Sequence, residues 1–532
     1  MKPPPSITSL AVSSGPGSEA GLGRAASILG VGNVASRLIG LVRESVISWY
    51  FGSSGQLSAF NLAARVPAMI YDLLVGGMLS AALVPVFSDY ARPDRRHELA
   101  RVASAMLSLI AAAMGIIVLL LELFASPLSS VLGHFDDPAL QEVLTRCLRL
   151  IAPAVLLFGL SGGVTGLLYA LKRFSYTAMA GAVFNLGIVI SAPLLAGRIG
   201  VYSLALGVVL GSILQLAVLL PGQRDLRLGF SIAWGHPGVR RILHLYVPIA
   251  LGLMVTQVQI VIDGRWASET GAQSVSWMRY ATTLIQMPLG LVPVAISLAA
   301  LPSLAQRASA EDWDAFRSIL ARGLRLVLVL LLPATVGLWV LATPVIRLLF
   351  EHGSFTPADT SMTASALRLY LLGLPFAGVD FLLNYTFYAR QDTRTPAIVG
   401  VVAVGFYFVA AFALKGPFGF LGLVLADSIK QAGHALIMSV LLVISLGQLP
   451  HQGILRPALL AAGGSLLMGL IVWCLALWLQ GIVPAGILGE LLVVAVPSAF
   501  GGALYLLLLR RLGVGEAAAL VAAFARVLRR NR

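Results

Sequence analysis

The sequence predicts an all-α polytopic membrane protein of about 14 transmembrane helices: two six-helix lobes in a parallel pseudo-repeat, plus two C-terminal helices. Three observations carry this. Hydrophobic residues make up 58% of the 532 and charged residues only 11%, with a mean hydropathy of +0.90. A soluble domain carries about a quarter charged residues to coat its core. The apolar residues also come in runs of about 20 or more, enough to cross roughly 30 Å of hydrocarbon as helix. Finally, two stretches 219 positions apart read alike.

Taken in order, residues 1–24 are rich in Pro, Ser and Gly and lack the apolar core of a signal peptide, so a disordered cytoplasmic tail is expected. The N-lobe, 25–221, holds spans at 25–50, 57–89, 99–125, 142–171, 176–197 and 201–221. The C-lobe, 238–447, holds spans at 238–267, 273–306, 314–343, 362–390, 395–414 and 418–447. Spans 455–480 and 484–511 complete the set, and 512–532 reads as a basic cytoplasmic tail.

The loops test this order independently. One side carries clusters such as Arg92, Arg95, Arg96 and Arg101, then Lys172 and Arg173, Arg240 and Arg241, Arg390 and Arg394, and Arg510 and Arg511. The other side has only Arg198, Arg347 and Lys415, with acidic Asp136, Asp137, Glu269, Glu351 and Asp359. Basic loops stay in the cytoplasm, which places both termini there. The net charge of +14 is therefore a matter of topology. It forms no basic patch with interleaved aromatics, and no nucleic-acid partner is expected.

The repeat is visible in LRLIAPAVLLFGLSGGVTGLLYALKRFSYTA from Leu148 and LRLYLLGLPFAGVDFLLNYTFYARQDTRTPA from Leu367. Gly159 aligns with Gly378, Tyr169 with Tyr388, and Ala178 with Ala397. An even number of spans per copy gives both copies one orientation, a transporter plan with its site between the halves.

Charges inside the spans point to that site. The first helix carries Arg37, Arg43 and Glu44; the second, Arg65 and Asp72; the seventh, Asp263 and Arg265; the eighth, Arg279. Each costs roughly 2.5–3.5 kcal/mol at a helix centre, so each is expected to face protein or a water-filled cavity. Arg37 and Glu44 lie seven residues apart on one helix face, and Arg43 sits roughly 120° around from Arg37. An excess of guanidinium forks suits phosphate or carboxylate oxygens. The plainer alternative is mutual pairing, Arg43 with Glu44 and Arg65 with Asp72, or snorkelling to an interface. Cys147 and Cys474 read as small apolar residues, with no disulfide framework and no metal-ligand spacing.

These residues sit in motifs that resemble the MurJ/MviN family of lipid II flippases, within the multidrug/oligosaccharidyl-lipid/polysaccharide exporter superfamily. The motifs are SRLIGLVRES and FGSSGQLSAF, then ARVP and ALVPVFSDY, SVSWMRYATTLIQMPLG with LAALPSL, FEHGSFTPADT, and FYARQDTRTP. The likeness runs from about residue 25 to 512. It implies two lobes in a V, a groove for a polyprenyl tail on the last two helices, and alternating access that carries lipid II from the cytoplasmic to the outer leaflet. It also implies that Arg37, Arg43 and Arg65 match the family's cavity cations and Glu44 its acidic residue. The chain departs from the family at Tyr71, Thr282 and Thr283, where charges are usual, and at Ser58, where an acid is usual.

The expected substrate-binding set is thus Arg37, Arg43, Arg65, Arg265 and Arg279, with Glu44, Asp72, Asp263, Tyr71 and Thr283 in cavity or gating roles. The expected partner is lipid II or a similar polyprenyl-pyrophosphate-linked glycan, together with membrane lipids, for a monomer in the bacterial cytoplasmic membrane. No cofactor or metal is expected, nor a sodium site in 396–414, which lacks Asp and Asn. A membrane potential or ion gradient stays open as the drive. Also open are export of another lipid-linked glycan or amphiphile, and a non-transporting envelope scaffold. An enzyme is not expected: a glycosyltransferase needs catalytic acids in large loops, and His352 and Asp359 read as parts of a solvated loop.

Overall fold

The computed structural model describes residues 16–73, 82–447, 453–484 and 486–520. Helices account for its regular structure, with no strand among the described residues. The first half of the chain contributes α1 (Pro16–Phe51), α2 (Gly55–Tyr71), α3 (Val84–Tyr90), α4 (Arg96–Leu123), α5 (Ala125–Leu132), α6 (Pro138–Ala170), α7 (Phe174–Ile199) and α8 (Tyr202–Leu219). The second contributes α9 (Pro237–Glu269), α10 (Ser274–Leu291), α11 (Pro293–Ser309), α12 (Trp313–Val340), α13 (Ala342–Phe350), α14 (Pro357–Ala389), α15 (Arg394–Phe418) and α16 (Phe420–Leu446). Two more follow, α17 (Leu455–Gln480) and α18 (Ile487–Arg511).

The repeat extends to whole elements. α6 and α14 are each 33 residues long, and their starts at 138 and 357 lie 219 positions apart. α4 and α12 are each 28 residues long, starting 217 positions apart. Breaks recur as well: each long α4-type helix is followed by a short one, α5 or α13.

Among the described residues, 11 helices are long and apolar enough to cross a membrane, against the 14 expected. The difference falls on 25–50, 57–89 and 238–267, the spans richest in the charges singled out above. Arg and Glu in α1, and Arg, Asp and Glu in α9, lower the mean hydropathy of these helices. α2 is only 17 residues long, and its expected span runs through 74–81, outside the described residues. The N-terminal tail also needs correction. Residues 1–15 lie outside the described residues, but α1 begins at Pro16, so 16–24 are helical. Pro fits a first turn, where no amide proton is needed. The basic tail lies beyond residue 520, largely outside the described residues.

The chain forms two compact units, whose borders do not follow the sequence halves. Unit one comprises the chain up to Arg43, Val66–Leu123 and Arg149–Leu251. Unit two comprises Glu44–Arg65, Phe124–Leu148 and everything from Gly252. Four of the five borders therefore fall inside helices, α1, α2, α6 and α9, and the fifth at the turn between α4 and α5. In unit one α7 packs along α8, and a Cβ on Gly187 would strike the Gly211 backbone. Small residues let such helices approach closely where lipid supplies no hydrophobic drive. In unit two α14 and α15 pack on α16 over a core of Phe316, Leu320, Leu382 and Met438. α18 is tied to α12 by the Tyr505 hydroxyl, which donates to the Val329 carbonyl at 2.8 Å.

Candidate functional site

Four of the expected site residues lie in unit one. Arg43 Nη1 donates to Asn185 Oδ1 at 2.8 Å, and the Asn185 amide donates to the carbonyls of Ser36 and Gly181 at 3.2 and 3.1 Å. Asn185 is buried in α7, so a neutral amide bridges α7 to α1 and orients the guanidinium. The approach is tight: a Cβ on Gly32 would stand 2.6 Å from that of Ala178. One face higher, Arg37 Nε donates to Asn33 Oδ1 at 3.3 Å. Tyr71, where the family usually has a cation, is a packing residue. Its ring stacks 5.3 Å from Phe158, and its hydroxyl accepts from Gln215 Nε2 at 3.4 Å. Asp72 is exposed just beyond the end of α2, where the backbone loosens into a wider turn.

The others lie in unit two, which gathers helix ends from both halves of the repeat. Glu44, only 2% exposed, accepts from Arg279 Nη2 at 3.0 Å and Nε at 3.3 Å. Arg65 donates to the Ile260 carbonyl at 3.1 Å and stands 3.9 Å from Asp263. It lies flat on α9 because Gly264 is there: a Cβ at that position would come within 2.6 Å of Nη1. The Tyr407 hydroxyl, from α15, donates to the far side of Asp263 at 2.5 Å. The pairs suggested by sequence proximity thus give way to pairs between the halves: Glu44 with Arg279, Arg65 with Asp263. Arg265 goes elsewhere, to the Ser130 carbonyl and to Glu269 at 3.3 Å. Residues two apart on a helix face opposite ways, which separates it from Asp263.

Hydroxyls occupy the family's missing charges. Thr282 and Thr283 donate back to the Arg279 carbonyl at 2.9 and 3.0 Å. Ser58 meets Ser276 at 3.0 Å in a fully buried contact, and also accepts from the Ser276 amide.

A third set of contacts closes this end of unit two. The Tyr280 hydroxyl donates to the Gly52 carbonyl at 2.7 Å, and its ring packs 4.8 Å from Phe350. Gly52 has a φ of +56°, and any Cβ there would strike the Ser354 carbonyl, so the α1–α2 turn requires glycine. The Ser354 amide in turn donates to the Trp49 carbonyl at 2.9 Å. Asp359, expected in a solvated loop, is buried. It forms a capping box with Thr356 at the start of α14 and accepts from Trp277 Nε1 at 3.0 Å. Sequence reading missed Asn185, Ser276 and Tyr407; the available signal was a lone polar group within an apolar run.

An all-helical repeat with buried, charge-paired helix ends is the build of a membrane transporter. The fold matches a solved structure described as the inward-facing conformation of a multidrug resistance MATE family transporter of the MOP superfamily. The TM-score is 0.66 at 15% identity, over 79% of this chain and 96% of that one. A structure described as lipid II flippase MurJ, inward closed conformation, matches at TM-score 0.75 and 23% identity, over 90% of this chain and 98% of that one.

The sequence profile of the lipid II flippase MurJ family matches residues 47–495. A relative from Burkholderia cenocepacia, named lipid II flippase MurJ, is 30% identical over 455 residues, covering 82% of this chain and 87% of its own length. The chain belongs to the lipid II flippase MurJ family, a family of transporters and not of enzymes.

Proposed function

We propose that this chain flips lipid II across the bacterial cytoplasmic membrane by alternating access, as a monomer with both termini in the cytoplasm. The carrying observation is the pairing of Glu44 with Arg279 and of Arg65 with Asp263. Each pair ties a helix of the first half to one of the second. The turns gathered in unit two hold Asp136, Glu269, Glu351 and Asp359, and the arginine-rich loops lie at the opposite helix ends. By the positive-inside rule, these pairs therefore close the outer end.

In this reading Arg37, Arg43, Arg65 and Arg279 receive the pyrophosphate, while Glu44, Asp72, Asp263 and Thr283 shape the cavity and the gate; Arg265 and Tyr71, held by other contacts, stay out of it. A pyrophosphate competes with Glu44 and Asp263 for the same guanidinium forks. Cargo arrival therefore weakens the outer closure from within. The polyprenyl tail suits an apolar cavity of about 350 Å³ between α12, α17 and α18, lined by Gly337, Val345, Met468, Val472 and Gly502. A membrane potential or ion gradient supplies the drive.

Tyr71 in its aromatic stack and Thr283 bonded to its own helix favour a second reading, a lipid-linked glycan needing fewer anionic contacts. The test is complementation of a strain depleted of its lipid II flippase, read as lipid II accessible at the outer leaflet. Rescue is expected. No rescue despite confirmed membrane insertion overturns lipid II as cargo.

A further inference from the structure

α16 carries three ionisable residues on one face: Asp427, Lys430 and His434 stand at i, i+3 and i+7, within about 60° of each other around the helix. In hydrocarbon such a stripe is costly unless its members are paired. Lys430 Nζ lies 2.6 Å from Asp427 and 5.8 Å from the centre of the Tyr407 ring. Tyr407 is the residue that holds Asp263, the partner of Arg65. One turn further along, His434 Nδ1 meets Asp380 Oδ1 of α14 at 2.5 Å. Asp380 Oδ2 accepts from Asn384 at 2.9 Å, and the pair is 12% and 14% exposed.

The surroundings of the pair are asymmetric. On α15, a Cβ at Gly400 would stand 3.9 Å from His434 Nε2. On α14, Tyr370 stands within electrostatic reach of Asp263 and Asp427, and Tyr388 within reach of Asp380. From α11 and α12 the neighbours of α14 are apolar, with Leu304, Phe316 and Leu320 against Leu382 and Leu383. Beyond His434, α16 continues with buried Met438, Leu442 and Leu446. The polar stripe thus gives way to apolar α16 residues beyond His434 and reaches the gate pair at its other end.

We infer that the His434–Asp380 pair is a proton-binding site served from the gate end of this stripe, and that its occupancy biases the Arg65–Asp263 gate pair. With Nδ1–H donated to Asp380, Nε2 is the atom that takes or releases the proton, and no other bond changes. The pair alternates between net charges of zero and minus one. When it is negative it draws the Lys430 ammonium, one turn away, and leaves Asp263 to Arg65. When it is neutral Lys430 turns toward Tyr407 and Asp263 and competes with Arg65. Acid at the gate end therefore loosens the gate. The proton site stands on its own geometry; only its consequence for cargo rests on the flippase reading.

The test uses the full chain in lipid nanodiscs, with infrared difference spectra between about pH 5 and pH 8, the range in which imidazole changes charge. Imidazole and carboxylate bands are expected, and their loss in His434→Gln and Asp380→Asn variants of unchanged melting temperature supports the site. Parent-minus-variant spectra that contain no imidazole or carboxylate component in either variant overturn it, the six other histidines being common to both. In vesicles carrying lipid II, acid at the gate end is expected to raise the rate by up to about tenfold per pH unit, the limit for one titrating group. His434→Gln flattens that profile. A rate lowered equally at every pH, with the profile unchanged, makes the pair structural and overturns the coupling. Titrating bands without any lipid II movement by the parent protein support the proton site and remove the lipid II reading instead.

Discussion

The two units hold their arginines in different ways. In unit two, Arg279 is matched to Glu44 and Arg65 to Asp263, carboxylates contributed by the other half of the repeat. In unit one, the bonds that orient Arg43 and Arg37 come from the amide oxygens of Asn185 and Asn33. A carboxylate partner bonds a guanidinium and opposes its charge, whereas an amide oxygen bonds it and fixes its direction. The first arrangement suits a latch that must hold and release; the second suits the aiming of a side chain.

The latch side breaks most readily. Arg279→Ala takes from buried Glu44 the two charge-assisted hydrogen bonds of that guanidinium, a loss of about 3 kcal/mol, limited because Arg279 is 44% exposed. A cysteine in place of Ser58, buried in the parent, is expected to label faster in Arg279→Ala. The Glu44→Gln/Arg279→Ala double variant is expected to restore slow labelling. Equal labelling in all three removes the latch.

A smaller effect is expected on the other side. Asn185→Ala removes a charge-assisted hydrogen bond worth about 1.5–3 kcal/mol, and it acts on the aim of Arg43 rather than on the closure. Transport is expected to fall while Ser58-position labelling stays unchanged. If both move together, the contrast between the units fails.

The smallest expected effect lies outside the membrane. Arg173, bonded to Asp225 at 2.5 Å, holds that carboxyl below the usual carboxylate range, with Arg96 at 3.0 Å adding to it. Because the folded state lowers the pKa of this carboxyl, the stabilisation is complete above about pH 4 and fades as acid protonates the folded carboxyl. Melting temperatures are expected to fall more steeply below that pH in the parent than in Asp225→Asn. Parallel curves leave the clamp without a role in stability.

Much of this was legible in the sequence, and unevenly so. The matching α6 and α14 needed only the 219-residue offset, because a repeated fold repeats its hydrophobic pattern. The partners of the charges were not legible. Glu44 and Arg279 lie 235 positions apart, and periodicity gives the face a residue occupies without naming the helix opposite. Asp359 is a case in which the signal was present. Thr356 followed three residues later by an acid is a helix-start pattern, and it explains why that acid is buried rather than solvated. For Tyr71 the sequence showed a missing charge, but only the contact with Phe158 shows what took its place.

The borders between the units have one more consequence. A hinge in a loop swings freely, but here four of the five crossings from one unit to the other run along continuous helices, including α1 between Arg43 and Glu44. Any rearrangement at these crossings must be absorbed as elastic bending of a helical rod. Pro67 and Pro153 lie just past two of the borders, where each deletes one rung of the ladder that stiffens the rod. The compliance of the rods at these crossings is thus set by two imino acids that bear no charge.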